Sequence, residues 1–262
     1  MIYFKGMNQY EMAIQSVVKI IEDYDSDGLM PVLGFGARLP PDGKVSHEFF
    51  VNGHPTNPYC ERTSGVLEAY KACVSRIQLF GPTNFSPTIR HVSNIAKNFI
   101  GGSHYFILLM ITDGIITDME QTKEAIVSAA DYPVSIIIVG VGEANFDAME
   151  ELDGDDERIS TQRGKVASRD IVQFVPLRKF NNVPSYGGQN FAYDQIKESL
   201  AREVLAEIPD QFLSYMKSKE IEPLTLPSAR LYPNINSGGY KSTDDGYSVT
   251  VTSNEVYSSD DE

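Results

Sequence analysis

Cysteine is nearly absent. Cys60 and Cys73 are the only two in 262 residues, with no C-x-x-C pair and no clustered histidines nearby. Two such residues build neither a disulfide framework nor a zinc knuckle, so a reducing compartment is expected. Basic residues are scarce as well: 22 Lys and Arg stand against 36 Asp and Glu, a formal charge of −14. That field opposes a grip on nucleic-acid phosphates and gives no pull toward anionic lipid, so no nucleic-acid partner is expected. A bound cation inverts such a field locally. No apolar run reaches the ~20 residues that span a bilayer. The opening "MIYFKGMNQY" also lacks the basic-then-apolar plan of a signal peptide. The expectation is a cytoplasmic protein. Missing too are a G-x-S-x-G elbow, an HExxH pair and a Walker loop, and His47, His54, His91 and His104 are scattered.

What is present is alternation of strand and helix. "NQYEMAIQSVVKIIEDYDSDG" has an Asn cap and apolar positions Met12, Val17, Ile20, Ile21 and Tyr24 at helical spacing, with Gly28 as its stop. "LMPVLGFGARLP" reads as one short buried strand and "KVSHEFFVNG" as an edge strand. Helices are expected over 65–79, 88–100, 119–130, 146–152 and 195–220, the last with Pro209 at the start of its second half. "HYFILLMITDGIITD" is apolar from Tyr105 to Ile111, too continuously for a sheet with one wet face. "VSIIIVGV" (134–141) has the same character, and "RDIVQFVPL" is the last expected strand. The pattern predicts an α/β fold: a doubly wound, mostly parallel sheet with helices on both faces. Ligands of such folds sit beyond the carboxyl ends of the strands, and Asp113 stands at such an end. From 223 to 262 the chain is rich in Pro, Ser, Gly and acid and reads as a disordered tail, with "YSVTVT" (247–252) its one strand-like stretch. Residues 1–222 form the expected domain.

Several motifs have plainer readings. Asp23-x-Asp25-x-Asp27-Gly28 imitates an EF-hand opening, but Gly34 stands at the twelfth position and Pro31 falls inside the loop, so a solvated helix end is expected. "VGVGEANF" lacks the third glycine of a dinucleotide loop and reads as tight turns. Asp153, Asp155 and Asp156 in "LDGDDERIS" read as a polar loop.

The order and spacing of "DYDSDGLMPVLGFGARLPPDGKVSHEF", "LFGPTNFSP", "LLMITDGIITDMEQTKEAIV", "VSIIIVGVGEANFDAMEELDGDDERIS", "RDIVQFVP" and "VLAEIPDQFLSYM" resemble the von Willebrand factor A-type domain at the C-terminal end of the copines. Plant ubiquitin ligases carrying a related domain and a RING are similar, but no set of Cys and His residues for a RING occurs here. The resemblance implies a metal-ion-dependent adhesion site for Mg²⁺, Mn²⁺ or Ca²⁺. Thr83 in "GPTNF" matches its loop threonine and Asp113 in "ITDG" its strand-end aspartate. No D-x-S-x-S turn occurs near the N-terminus, so the chain is expected to be truncated, to lack the first central strand, and to bind a divalent cation weakly. Ile2, Tyr3 and Phe4 favour a strand that could substitute.

The function implied is a non-enzymatic module that docks other proteins through the sheet-edge site. Calcium-dependent phospholipid binding and recruitment to the plasma membrane are implied by the family alone, since its lipid-binding modules do not occur in this sequence. The alternatives are a Mg²⁺-dependent hydrolase or kinase-like enzyme using Asp113, and a ubiquitin-ligase-related A-type domain without its RING.

Overall fold

The computed structural model describes residues 7–154, 157–180 and 198–223. The main sheet holds three parallel strands in the order β10 (Val172–Pro176), β9 (Val134–Gly140) and β8 (Phe106–Thr112). Both of its faces are covered, as the continuous apolar runs predict. Leu108, Met110, Ile136, Ile138 and Phe174 pack on one side with Ile89 of α4 (Ser86–Ala96), Ile126 of α5 (Met119–Ala129) and Met149 of α6 (Asp147–Asp153). Ile107, Ile137, Val139 and Val175 face the other way. There they meet the first helix, the helical stretch 198–204 (α7) and α8 (Ile208–Ser218). The period-two alternation of a strand, imposed on residues that are all apolar, makes two cores.

The first helix starts where expected. Asn8 and Glu11 form a reciprocal capping box, each side chain bonded to the other's backbone N–H at 2.9 and 2.8 Å. It then runs as α1 (Gln9–Ala13), a π-helical turn (Ile14–Val18) and α2 (Lys19–Glu22). Val17, Ile20 and Ile21 are buried as predicted, but Tyr24 is exposed, because the helix ends at Glu22. Gly28 serves the turn into β1 instead, at φ +72°.

Between 29 and 79 the expected long strands are corrected. The single buried strand "LMPVLGFGARLP" is three short, mostly half-buried pieces, β1 (Leu29–Pro31), β2 (Leu33–Gly34) and β3 (Ala37–Leu39). "KVSHEFFVNG" splits likewise into β4 (Lys44–Ser46) and β5 (Phe49–Phe50). These pair in small antiparallel sheets with one another, with β6 (Tyr59–Glu61) and with β7 (Gln78–Leu79). The helix expected at 65–79 is α3, Arg62–Val74. Its end is pulled off helical geometry because Gln78 and Leu79 pair with Arg38 and Ala37. Helix 195–220 breaks between α7 and α8, with Pro209 in the first turn of α8. The expected strand at 1–5 and the tail from 224 lie outside the described residues.

Candidate functional site

Strand β8 delivers Thr112 buried and Asp113 exposed at the carboxyl end of the sheet. The loop that follows is stitched to the loop before α4. Ile116 bridges Thr83 in parallel. The Thr117 N–H and hydroxyl both donate to the Thr83 carbonyl at 2.9 Å, and the same hydroxyl reaches Asn84 Oδ1 at 2.8 Å. Asp118 accepts from the Phe85 and Ser86 N–H groups at 2.9 and 3.0 Å and from the Thr122 hydroxyl at 3.1 Å. A carboxylate at the start of one helix therefore caps its neighbour, satisfying orphan donors of α4 and complementing its dipole.

This stitching sets Thr83 against the end of β8. A Cβ added at Gly114 would sit 3.5 Å from Thr83 Oγ1, which puts the half-buried hydroxyl next to the residue that follows Asp113. On the other side stands Tyr10. Burial, and after it the charge of the adjacent Asp113, push its phenol far above its ordinary pKa, so it stays protonated. Tyr70 stacks on Tyr10 with ring centres 6.0 Å apart and planes 19° apart. Burial raises the Tyr70 phenol too. Asn8, Tyr10, Tyr70 and Asp113 ring one end of an apolar cavity of ≈ 500 Å³ that runs down the outer side of β8.

Thr83 thus lies beside Gly114, while Asp113 meets Tyr10 at the cavity. Tyr10, Tyr70 and Asn8 escape sequence reasoning, because nothing local ties a residue on the first helix to a strand a hundred positions away. Asp118 escapes it as well, because its role as the cap of a different helix depends on tertiary packing.

The chemistry of the donor set is limited. Hard cations take six to eight oxygens, and Asp118, the nearest carboxylate along the loop, is already occupied by its three donors. Among the described residues no group of three or more His, Cys, Asp or Glu could hold a metal ion. Thr83 and Asp113 by themselves do not fit a tightly held cation.

The other sequence candidates are dispersed. Asp27 accepts from the Leu29 N–H in a turn. Asp153 accepts from the Phe174 N–H inside the fold, and Asp155 and Asp156 lie outside the described residues. Gly140 is a packing glycine: a Cβ there would meet the Phe146 ring at 2.9 Å. His91 pairs with Glu48 at 2.8 Å on the surface. Cys60 and Cys73 are free thiols, both buried. Among the described residues no helix is long and apolar enough to cross a membrane. Compared with known protein families, residues 1–224 match the one described as Copine.

Proposed function

This chain belongs to the copine family, and from that premise we propose that it is a non-enzymatic docking module that binds other proteins at the Asp113–Thr83 rim. Copines are a calcium-dependent membrane-binding family. The part proposed for these residues is recognition of protein partners in calcium-responsive signalling, carried out from the cytoplasm and at the plasma membrane. Phospholipid contact belongs to the family as a whole.

One observation supports the reading above others: the exposed Asp113 carboxylate has as its neighbour a phenol held protonated, and the residue that follows it, Gly114, lies against the Thr83 hydroxyl. General acid–base catalysis needs a partner group that titrates near the working pH, and Tyr10 is driven away from it. What remains is an acceptor, Asp113, at an apolar cavity, the composition of a recognition patch with a polar anchor, with the Thr83 hydroxyl on the adjoining loop. In this reading Thr83 and Asp113 are the remnant of a degenerate metal-ion-dependent adhesion site. They meet a partner's N–H or ammonium groups directly, and no resident ion enters the account.

The test compares Asp113→Ala, Thr83→Ala and, as a distant surface control, Asp210→Ala for capture of cross-linked partner proteins and for turnover of phosphoester substrates with Mg²⁺. Partner capture falls at least about tenfold in Asp113→Ala at an unchanged melting temperature, with no turnover in any sample. Turnover in the parent that Asp113→Ala abolishes overturns the docking reading in favour of an enzyme. Sedimentation with phosphatidylserine vesicles is the second arm: little calcium-dependent pelleting is expected of this chain at −14 net charge.

A further inference from the structure

Between α6 and β10 the chain turns back on itself in a short hairpin. Ser160 bridges Val166 in the antiparallel sense. The Thr161 N–H donates to the Lys165 carbonyl at 2.9 Å, and the Ala167 N–H to the Ile159 carbonyl at 2.8 Å. The Gly164 N–H closes the turn on the Thr161 carbonyl at 2.8 Å, and the Lys165 N–H reaches the Thr161 hydroxyl at 3.2 Å. Gly164 takes φ +78°, a conformation that side chains disfavour. Ile159 and Ala167 belong to the core and fix the base, and the Ser168 hydroxyl adds a bond to Asp131 at 2.8 Å. Ser160 and Val166 share the other face, both exposed, Val166 by 52%. As a non-hydrogen-bonded pair they aim their own N–H and C=O groups out of the hairpin.

Charge sets this hairpin apart. Residues 158–168 hold Arg158, Arg163 and Lys165 and no carboxylate, in a chain of formal charge −14. All three cations are exposed, and the ion pairs among the described residues include none of them. Of the acids nearby, Asp131 accepts from Ser168 and Asp170 from the Val172 N–H, while Glu157 is exposed at the base. We propose that the hairpin docks a short, extended, acidic segment of a partner protein. Carboxylates at alternate positions of that segment meet Arg158, Arg163 and Lys165, and an apolar side chain between them rests on Val166. Its main chain supplies partners for the outward N–H and C=O groups of Ser160 or Val166, and cations already fixed on a hairpin lose little freedom on binding. Length decides between acidic partners. Charges further apart than about 8–10 Å are largely screened, so a short segment meets the local cations alone. A nucleic acid or an anionic membrane extends over the acidic remainder of the surface and is repelled. The hairpin feeds the amino end of β10, and the strands are parallel, so it lies at the other end of the sheet from Asp113. The contact is separate from the rim.

Fluorescence anisotropy with the full chain and a labelled, capped peptide of alternating Glu and Val tests this, with the Lys and Val counterpart as control. Saturable binding of the Glu peptide alone is expected. Arg163→Glu combined with Lys165→Glu should weaken it at least about tenfold, as should raising salt from about 0.05 to about 0.5 M. Asp113→Ala should leave it unchanged, so failure here and failure at the rim are told apart. A second measurement needs no variant: in the parent, the peptide should shift the amide resonances of Gly164 and Val166 and leave Ile137 of β9 in place. No saturable binding, or shifts confined to other elements, overturns the proposal. So does equal weakening by Lys97→Glu combined with Lys217→Glu, which would mean attraction by overall charge. Tighter capture of phosphatidylserine vesicles or single-stranded RNA through Arg163 and Lys165 overturns it too, because the hairpin would then read phosphate.

Discussion

Glu22 shows how single residues hold the front of the molecule together. Burial opposes its charge, but the Thr63 hydroxyl and N–H and the Lys19 ammonium outweigh that, and its pKa falls to about 2. A depressed carboxylate stabilises the fold above its unfolded pKa, near 4.5, and the contribution is lost as pH falls through about 2. At about 1.4 kcal/mol per unit, the effect is at most about 3 kcal/mol at neutral pH. Denaturant titrations of the parent and Glu22→Gln should differ most at pH 7 and converge near pH 2; an offset that does not change with pH contradicts this. Asp118 does comparable work at the rim. Asp118→Ala leaves the Phe85 and Ser86 N–H groups without their acceptor, and a lost cap costs about 1–2 kcal/mol. Because the same carboxylate helps hold the 83–86 loop, partner capture should fall along with the midpoint of urea unfolding.

Arg169 ties elements rather than residues. Only 7% exposed, its guanidinium donates to the carbonyls of Ala130, Tyr132 and Val134, to the Gln211 carbonyl and to the Tyr105 hydroxyl. It thereby joins the end of α5, the start of β9 and α8. Lysine cannot reproduce a planar fork with five donors, so Arg169→Lys should destabilise nearly as much as Arg169→Met, about 3–5 kcal/mol by thermal or urea unfolding. The central elements were legible in the sequence for a plain reason: β8 and β9 are nearly continuous apolar runs, broken in β9 only by Ser135, as strands buried on both faces tend to be. The pieces between 29 and 79 were not, because β2, β5 and β7 are two residues long and owe their form to partners far along the chain. The site divides the same way. Asp113 stood out at the end of its strand, whereas Tyr10 joins it only through tertiary packing.

At the scale of the whole molecule, net acidity and a rim with two oxygen donors pull in different directions. The field attracts cations, yet the rim offers too few ligands to hold one. Raising Ca²⁺ or Mg²⁺ to 1 mM should therefore add less than about 0.4 kcal/mol to stability, the value for a ligand at a concentration equal to its Kd, and calorimetric melts will read it. A larger gain that Asp113→Ala removes would mean a cage more complete than Thr83 and Asp113 provide. The central claim is that partners dock on the rim, and quantitative cross-linking mass spectrometry of the parent beside Asp113→Ala addresses it most directly. The account expects cross-links clustered on 80–86 and 113–118 that disappear in the variant while its melt is unchanged. Undiminished capture by a well-folded Asp113→Ala protein, with its cross-links elsewhere, would contradict it.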